Sequence, residues 1–300
     1  MKLKLLIGLF VFGFASAAFA QETGVFGFDA FTIKPSMDGS GTPFVTGSQI
    51  LPVNKPYAGL VSGYHYQSVS NTLNGNRNWI VNHTVMMDLV ASVGLFECLS
   101  VGFDLPFNIY EHVHHFSTGV SDVVSGVGDM TLYAKWRILK EGTLLPGLAV
   151  LPAVILPTGD ETEFTGNAST RYEATAVADK DFELFYLTAN ATYRWMHRRT
   201  VLSQNLDDQL LFSVGADVPL TFWQDKLSAF AEGHGSTIVT NFSTNTTALE
   251  ALAGLRKELN SGLRLFAAGS YGLRKSLGTA KYRGFVGLDY TFDKLINKKR

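Results

Sequence analysis

Apolar and polar residues alternate with a period of two along most of the chain, from residue 57 to residue 292. Between residues 100 and 109, for example, every odd position is apolar, whereas the even positions include Asp104 and Asn108. Successive side chains of a β-strand point to opposite faces, so this pattern indicates strands with one apolar and one polar face.

The alternation predicts an all-β protein with about twelve strands. Most strands of soluble sheets have about five or six residues, whereas a tilted strand needs about 9 to 11 residues to cross a bilayer. All the predicted strands are of this longer kind, so we expect a transmembrane antiparallel β-barrel. They cover residues 57–70, 81–94, 98–110, 127–140, 146–157, 171–181, 184–196, 208–220, 226–239, 246–258, 262–274 and 281–292.

The predicted connections alternate between long and short. Segments such as 71–80 and 111–126 follow odd-numbered strands, whereas turns such as 95–97 and 182–183 follow even-numbered ones. Outer-membrane barrels have long external loops and short periplasmic turns, and this is the arrangement that we expect here.

The ends of the chain lie outside the predicted barrel of residues 57–292. Residues 1–20 combine Lys2 and Lys4, an apolar run and a small-x-small site ending at Ala20, which is typical of a secretory signal peptide. Residues 293–300 form a C-terminal tail. We therefore predict export to the outer membrane of a Gram-negative-type bacterium.

Residues 21–56 allow two interpretations. They could form one more hairpin, which would give fourteen strands, or they could fold into the lumen as a plug. The predicted strand 146–157 is apolar on both faces. Its inner face needs an apolar partner, which the plug would provide.

Composition limits the partners and the chemistry. Charged residues are only 17% of the chain, aromatic residues are 12%, and the formal net charge is -1. This balance argues against a nucleic-acid partner, and it suits a surface that partly faces outer-membrane lipid and lipopolysaccharide. Cys98 is the single cysteine, so no intrachain disulfide can form. The sequence indicates no cofactor.

Charged residues of both signs recur on the predicted inner face. They could line a polar pore or could form a network that ties a closed lumen together. The pore-lining candidates are Asp88, Asp104, Asp129, Lys135, Arg137, Arg194, Asp217, Glu232, Glu250, Arg256, Arg264, Arg283 and Asp289.

Two of these candidates lead to a prediction about selectivity. If the turn after the strand 246–258 centres near residue 260, Arg256 and Arg264 lie almost opposite each other, with Glu232 near both. An excess of positive charge at that point would favour anions in an open pore.

Two other groups of residues carry weaker hypotheses. His112 and His114, together with Glu111, could hold a transition metal, although no fourth ligand is evident. Glu232, His234 and Ser236 alternate on one strand, and they are the candidates for an outer-membrane lipid-modifying enzyme, which needs a nucleophile and a base. We predict neither a bound metal nor an enzyme.

The last predicted strand carries a candidate signal for the barrel assembly machinery, formed by Phe285, Gly287, Tyr290 and Phe292. Phe285 stands where such signals usually have a polar residue. The alternative is that Tyr290 and Phe292 are simply aromatic residues at the membrane interface.

Three segments carry a resemblance to known proteins. Gly-Val-Gly-Asp at 126–129 opens a strand, Leu-Pro-Thr-Gly-Asp-Glu at 156–161 ends the next, and Val-Gly-Phe-Asp-Leu-Pro-Phe occupies 101–107. They resemble the outer-membrane barrel family labelled as transporters of the meta-pathway of phenol degradation. They are also similar to the N-terminal barrel of OmpA-like proteins.

The first resemblance implies passage of a small molecule, without identifying the solute. We therefore expect a porin-like channel or transporter for small molecules. The alternative is a structural OmpA-like barrel with a closed lumen, and an enzyme is a more distant third.

Overall fold

The computed structural model describes residues 33–73, 76–115, 120–161, 164–201, 204–220, 226–240, 246–259, 262–274, 276 and 278–292. The predicted signal peptide, residues 21–32 and the predicted tail lie outside these ranges. Within the ranges, the chain forms β1 Pro56–Leu73, β2 Asn76–Phe96, β3 Leu99–His115, β4 Val120–Val127, β5 Met130–Leu139, β6 Gly147–Leu156, β7 Arg171–Asp181, β8 Tyr186–Trp195, β9 Arg199–Val201, β10 Gln204–Leu206, β11 Gln209–Pro219, β12 Leu227–Ile238, β13 Ala248–Glu258, β14 Leu263–Arg274 and β15 Tyr282–Thr291.

The long strands form a closed antiparallel barrel. Consecutive strands pair around the wall, and β15 pairs with β1 from Tyr57 opposite Thr291 to Tyr66 opposite Tyr282, which closes the ring. The strands β4 and β5 share one wall position, because both pair with β3, and β9 and β10 form a separate hairpin. The wall therefore has twelve strand positions, as predicted.

The largest departures from the predicted strand ends occur in β1, β2 and β3. β1 and β2 continue through most of the segment 71–80, and β3 together with the unpredicted strand β4 occupies most of the segment 111–126, both of which the sequence predicted as loops. Irregular register interrupts β1 after Tyr66 and β3 after Asn108, and Gln67 has a φ of 57°. A bulge adds one residue to one strand, so the alternation of apolar and polar residues shifts by one position there. The part of the strand beyond the bulge therefore does not continue the pattern.

The wall is apolar outside and polar inside. On β5, Trp136 and Ile138 are exposed on the outer face, whereas Lys135 is fully buried on the inner one. On β15, Val286 is exposed and Asp289 is buried. Among the described residues, none belongs to a helix long and apolar enough to cross a membrane.

The two ends of the barrel differ. Tight turns such as those between β2 and β3 and between β7 and β8 lie at one end. Most of the longer connections lie at the other end, although only two residues separate β1 from β2 there. We call these the periplasmic and external ends, after the usual orientation of outer-membrane barrels. The segment that precedes β1 starts inside this wall, and it determines the geometry of the lumen.

Candidate functional site in the lumen

Residues 33–48, here called the luminal segment, lie inside the barrel and add no strand to its wall. The segment folds back on itself: the amide of Ser36 donates to Pro43 O at 2.7 Å, and Gly41 forms an isolated bridge with Thr46. The Asp38 side chain accepts from the Ser40 hydroxyl at 2.6 Å, which stabilises the turn between them. The segment is thus a compact loop surrounded by the inner faces of the strands.

Three basic side chains of the wall hold the luminal segment near the periplasmic end. Lys135 on β5 forms an ion pair with Asp38, and its Nζ also donates to Gly47 O at 3.0 Å. Arg256 on β13 donates to Gly41 O at 2.9 Å, and Arg264 on β14 donates to Gly39 O at 2.7 Å. These carbonyl groups of the luminal segment have no partner in a sheet, and the basic side chains of the wall supply their hydrogen-bond donors.

A carboxylate on β7 also binds the segment. Asp179 on β7 accepts from the Ser48 amide at 2.5 Å, from the Ser48 hydroxyl at 2.7 Å and from the Tyr186 hydroxyl at 2.5 Å. Gly147 leaves the space for this contact, because a Cβ at that position would lie 2.2 Å from the Ser48 Oγ atom. Asp179 was not among the predicted pore-lining residues, although it shares the inward parity of Glu173 on the same strand.

Apolar contacts add to these polar ones. The Phe44 ring lies 4.6 Å from the Phe285 ring and 5.6 Å from the Phe266 ring, measured between centroids. Its backbone amide donates to Glu232 Oε1 at 3.1 Å. The Phe44 side chain is buried, so the luminal segment and the wall share a small apolar core.

A second anchor lies nearer the external end, where the loop after β6 folds inward. Asp129 accepts from the Gly159 amide at 3.0 Å, from the Asn167 amide at 2.8 Å and from an Arg171 guanidinium nitrogen at 2.8 Å. This geometry explains two of the three motifs that carry the family resemblance. Gly-Val-Gly-Asp supplies the carboxylate, and Pro-Thr-Gly supplies one of the amides that it binds.

Phe164 of this loop belongs to a buried group at the external end, here called the outer apolar cluster. It consists of Val69, Ile80, Val81, Val113, Phe164, Leu206 and Ile238. The luminal segment and the wall beside it line a half-open cavity of about 130 Å³, to which Phe44, Leu151 and Ser236 contribute. Buried side chains thus occupy the lumen near both ends of the described barrel.

Most of the predicted pore-lining residues lie on the inner face and are buried in ion pairs. Asp88, Asp104, Asp129, Lys135, Arg194, Asp217, Glu232, Glu250, Arg283 and Asp289 are buried. Arg256 and Arg264 are less buried, and Arg137 lies at the periplasmic rim, where it donates to Glu97 O at 2.8 Å. That these residues line an open pore stays a prediction.

The predicted contact between Arg256 and Arg264 is wrong. Arg256 lies opposite Phe266, and Arg264 lies opposite Glu258. Each arginine thus pairs with a residue two positions away from the predicted one. Asp217 binds Arg256 at 2.7 Å, and Asp289 binds Arg264 at 2.5 Å, whereas Glu232 binds neither of them in the described part of the chain.

The same structure removes the basis for the predicted anion preference. The buried charged side chains of the described residues include more carboxylates than basic groups. Each of the two arginines in question is neutralised by its own carboxylate. The described inner wall therefore does not form a positively charged constriction.

The metal hypothesis fails on geometry. Glu111 is buried in the lumen and hydrogen-bonded to Asn108, whereas His112 and His114 lie on the other face of β3. His114 contacts the Ser121 hydroxyl at 2.9 Å. Among the described residues, no three His, Cys, Asp or Glu side chains are grouped as a metal would require.

The residues of the enzyme hypothesis face the lumen rather than the lipid boundary. Glu232 Oε2 lies 2.7 Å from His234 Nε2. No hydrogen bond joins His234 to Ser236 within the described chain. Glu232 and His234 contact each other beside Phe44 in the lumen and do not present a nucleophile to lipid.

The assembly-signal residues divide between the two faces of β15. Phe285 and Gly287 point inward, and the Phe285 ring packs on Phe44 and His65. Tyr290 and Phe292 pack edge to face at 4.7 Å near the periplasmic end. Their recognition by the assembly machinery stays a prediction.

Comparisons with known proteins agree with this geometry. A crystal structure of an outer-membrane channel from Pseudomonas putida F1 has a TM-score of 0.63 at 15% identity, covering 82% of this chain and 98% of that chain. The NanC porin has a TM-score of 0.51 at 8% identity, covering 78% of this chain and 98% of that chain. At these identities the similarity shows the fold.

Sequence comparison identifies the family. No curated protein matches the sequence significantly. The profile of the family described as "MetA-pathway of phenol degradation" matches residues 40–276, which include most of the barrel and part of the luminal segment. The chain therefore belongs to this family, and it has the fold of an outer-membrane β-barrel.

Proposed function

We propose that this porin-like channel carries small molecules across the outer membrane and that the luminal segment closes its periplasmic half at rest. The proposal rests on one observation, which is how the luminal segment is attached to the wall. Residues 33–48 contact the wall through side chains and take no part in the wall's hydrogen-bonded ladder. The ladder closes between β1 and β15 without them.

A segment held in this way can leave without opening the barrel. Its anchors are individual ion pairs and hydrogen bonds, such as Lys135 with Asp38 and Arg264 with Gly39 O. A hydrogen bond to a charged group contributes about 1.5 to 3 kcal/mol, because water replaces it on release. Loss of several anchors together would free the periplasmic half of the lumen.

The alternative is a structural barrel that stays closed. In that case the same contacts, together with the Phe44 packing, would serve only to fill the lumen. The two hypotheses differ in one observable, which is whether displacement of the luminal segment produces ionic conductance. The family description is consistent with passage of small aromatic compounds, but it does not decide between them. We assign no catalytic role to Glu232, His234 or Ser236.

Gly215 offers a direct test. A Cβ at this inward position of β11 would lie 2.4 Å from the Thr42 Oγ1 atom, so Gly215→Leu should push the luminal segment away from the wall. Gly233 on the adjacent strand faces outward, and a Cβ there would meet the Val214 side chain at 3.6 Å, which is ordinary van der Waals contact. Gly233→Leu is therefore the matched control.

We expect Gly215→Leu to raise single-channel conductance in planar bilayers several-fold over the wild type, and Gly233→Leu to leave it unchanged. If Gly215→Leu folds and inserts but conducts no better than the wild type, the closed structural barrel becomes the better account.

A further inference from the structure

We propose that the outer face of the barrel carries a binding site for the phosphorylated sugar headgroup of lipopolysaccharide, formed by five strands at the external boundary of the membrane. This site goes beyond the proposed function, because it concerns a lipid partner of the wall and not the solute in the lumen. Three features support it: a row of aromatic and imidazole side chains, the height of that row on the wall, and the charges beside it.

Five neighbouring strands each contribute one side chain to a continuous row on the outer face. Tyr271 on β14 lies opposite Tyr282 on β15, and Tyr282 lies opposite Tyr66 on β1. Tyr66 lies opposite His83 on β2, and His83 lies opposite His112 on β3. Side chains directly opposite each other on paired strands are close enough to interact. These five residues, here called the external row, therefore form one surface.

The rings of the external row contact one another. The Tyr66 and Tyr282 rings stack with centroids 4.7 Å apart, and the His83 ring lies 5.2 Å from that of Tyr66 and 6.4 Å from that of His112. The Tyr64 hydroxyl lies 2.7 Å from His83 Nδ1, which orients the imidazole and leaves Nε2 as its other polar atom. Sugar rings pack their C–H faces on aromatic rings, and an imidazole can donate a hydrogen bond to a phosphate.

The external row lies at the height where the acyl chains of the outer leaflet meet its headgroups. Tyr282 and the periplasmic residue Tyr290 enclose nine residues of β15, both ends included. A tilted strand needs about 9 to 11 residues to cross a bilayer, and aromatic residues mark both boundaries of the apolar band of such barrels. Beyond the row, β1, β2 and β3 continue outward and form a wall beside the headgroups.

Basic side chains lie beside the external row. The Lys281 ammonium, next to Tyr282 in the chain, lies 5.8 Å from the centroid of the Tyr66 ring. Arg274, three positions beyond Tyr271, is exposed at the external end of β14. Lysine and arginine side chains form charge-assisted hydrogen bonds with phosphate. The surface thus combines rings that can pack against a sugar with cations that can bind its phosphate.

Carboxylates are kept away from this surface. The five strands contain only four acidic residues, all buried on the inner face, which are Asp88, Asp104, Glu111 and Asp289.

The opposite side of the barrel differs at its external end. There the Tyr193 hydroxyl donates to Asp208 at 2.8 Å, and Arg198 pairs with Asp207 at 3.9 Å. An anionic headgroup is therefore attracted to the external row and not to the opposite side.

The test measures lipid binding to the full-length mature barrel, refolded in detergent without lipopolysaccharide and in the presence of EDTA. Native mass spectrometry counts the molecules bound during titration with diphosphoryl lipid A, which holds the phosphates and two sugars of lipopolysaccharide. Phosphatidylglycerol is the second probe, since it has a phosphate and acyl chains but no phosphorylated sugar.

The variants separate charge from apolar contact. His83→Leu combined with Lys281→Leu removes two polar groups and leaves the outer face apolar, whereas Lys281→Arg keeps the charge. Arg198→Leu is the matched control, because it removes an exposed cation from the external end on the opposite side. Heat-dependent migration on an SDS gel shows which variants are folded.

We expect one lipid A molecule to bind the wild type, Lys281→Arg and Arg198→Leu with affinities within two-fold of one another, and the combined variant at least ten-fold more weakly. Phosphatidylglycerol should bind the wild type at least ten-fold more weakly than lipid A does. If the combined variant does not fold, Lys281→Leu alone is compared with Arg198→Leu.

Equal lipid A affinity of the wild type and the variant that lacks Lys281 would overturn the proposal, as would an equal loss in Arg198→Leu. Absence of saturable lipid A binding to the folded wild type, or phosphatidylglycerol binding as tight as that of lipid A, would also overturn it. None of these outcomes bears on the channel, because conductance through the lumen is measured separately.

Discussion

At the scale of single residues, Asp129 shows how one carboxylate can position a whole loop. Its oxygens accept from the Gly159 and Asn167 amides and pair with Arg171 in a buried environment. Asp129→Ala would leave the guanidinium buried beside two amides that lose their acceptor. Breaking a buried pair in this way costs about 3 to 5 kcal/mol. Urea unfolding of the barrel in lipid vesicles measures the loss.

The pair between Lys226 and Glu258 provides the control, since both side chains are about half exposed and their charged atoms lie 3.5 Å apart. An exposed pair contributes about 0 to 1 kcal/mol, because water screens it. Glu258→Gln should therefore change the unfolding free energy little. If Asp129→Ala destabilises no more than Glu258→Gln, Asp129 does not anchor the loop.

The sequence predicts which face of a strand a residue occupies, but it does not predict the partner of that residue across the lumen. Period-two parity places Lys135, Arg283 and Asp289 on the inner face, and their burial agrees. Parity gives no information about partners across the lumen. The contact of Lys135 with Asp38 joins residues far apart in sequence, and nothing in the local pattern distinguishes Asp38 from an ordinary turn residue.

At the scale of elements, the strands of the wall were predictable because lipid outside and polar groups inside impose a strict alternation. The bulge after Tyr66 and the irregular register after Asn108 interrupt that alternation, and the external continuations of β1 and β3 were missed for this reason. Residues 33–48 form no regular element, so their path follows from individual contacts that no periodicity encodes.

The last strand, β15, carries the prediction about assembly. Tyr290 and Phe292 lie at its periplasmic end, and their rings contact each other at 4.7 Å. If the assembly machinery recognises this end, Phe292→Asp lowers the yield of barrel in the outer membrane far more than deletion of residues 293–300 does. Immunoblots of membrane fractions provide the comparison. Similar yields from the two variants would leave Tyr290 and Phe292 as interface aromatics only.

At the scale of the whole molecule, the closed ladder predicts resistance to detergent. Each wall strand except β4 pairs with two neighbours among the described strands, and β15 pairs with β1, so the ring is closed and SDS cannot open it along a free edge at room temperature. Unboiled protein should migrate faster than boiled protein on an SDS gel. Identical mobility, together with a far-UV circular dichroism spectrum that lacks a β signal, would refute the closed barrel.

The ion pair between Asp38 and Lys135 allows the closure of the channel by the luminal segment to be tested by charge reversal. Asp38→Lys and Lys135→Asp each place like charges together in a buried position, which repels the segment from β5. The double variant restores opposite charges. Single-channel conductance in planar bilayers is the measurement, with the wild type beside the three variants.

We expect each single variant to conduct several-fold more than the wild type and the double variant to return towards the wild-type level. Equal conductance of all four folded proteins would contradict it, because the segment would then have no part in closing the lumen.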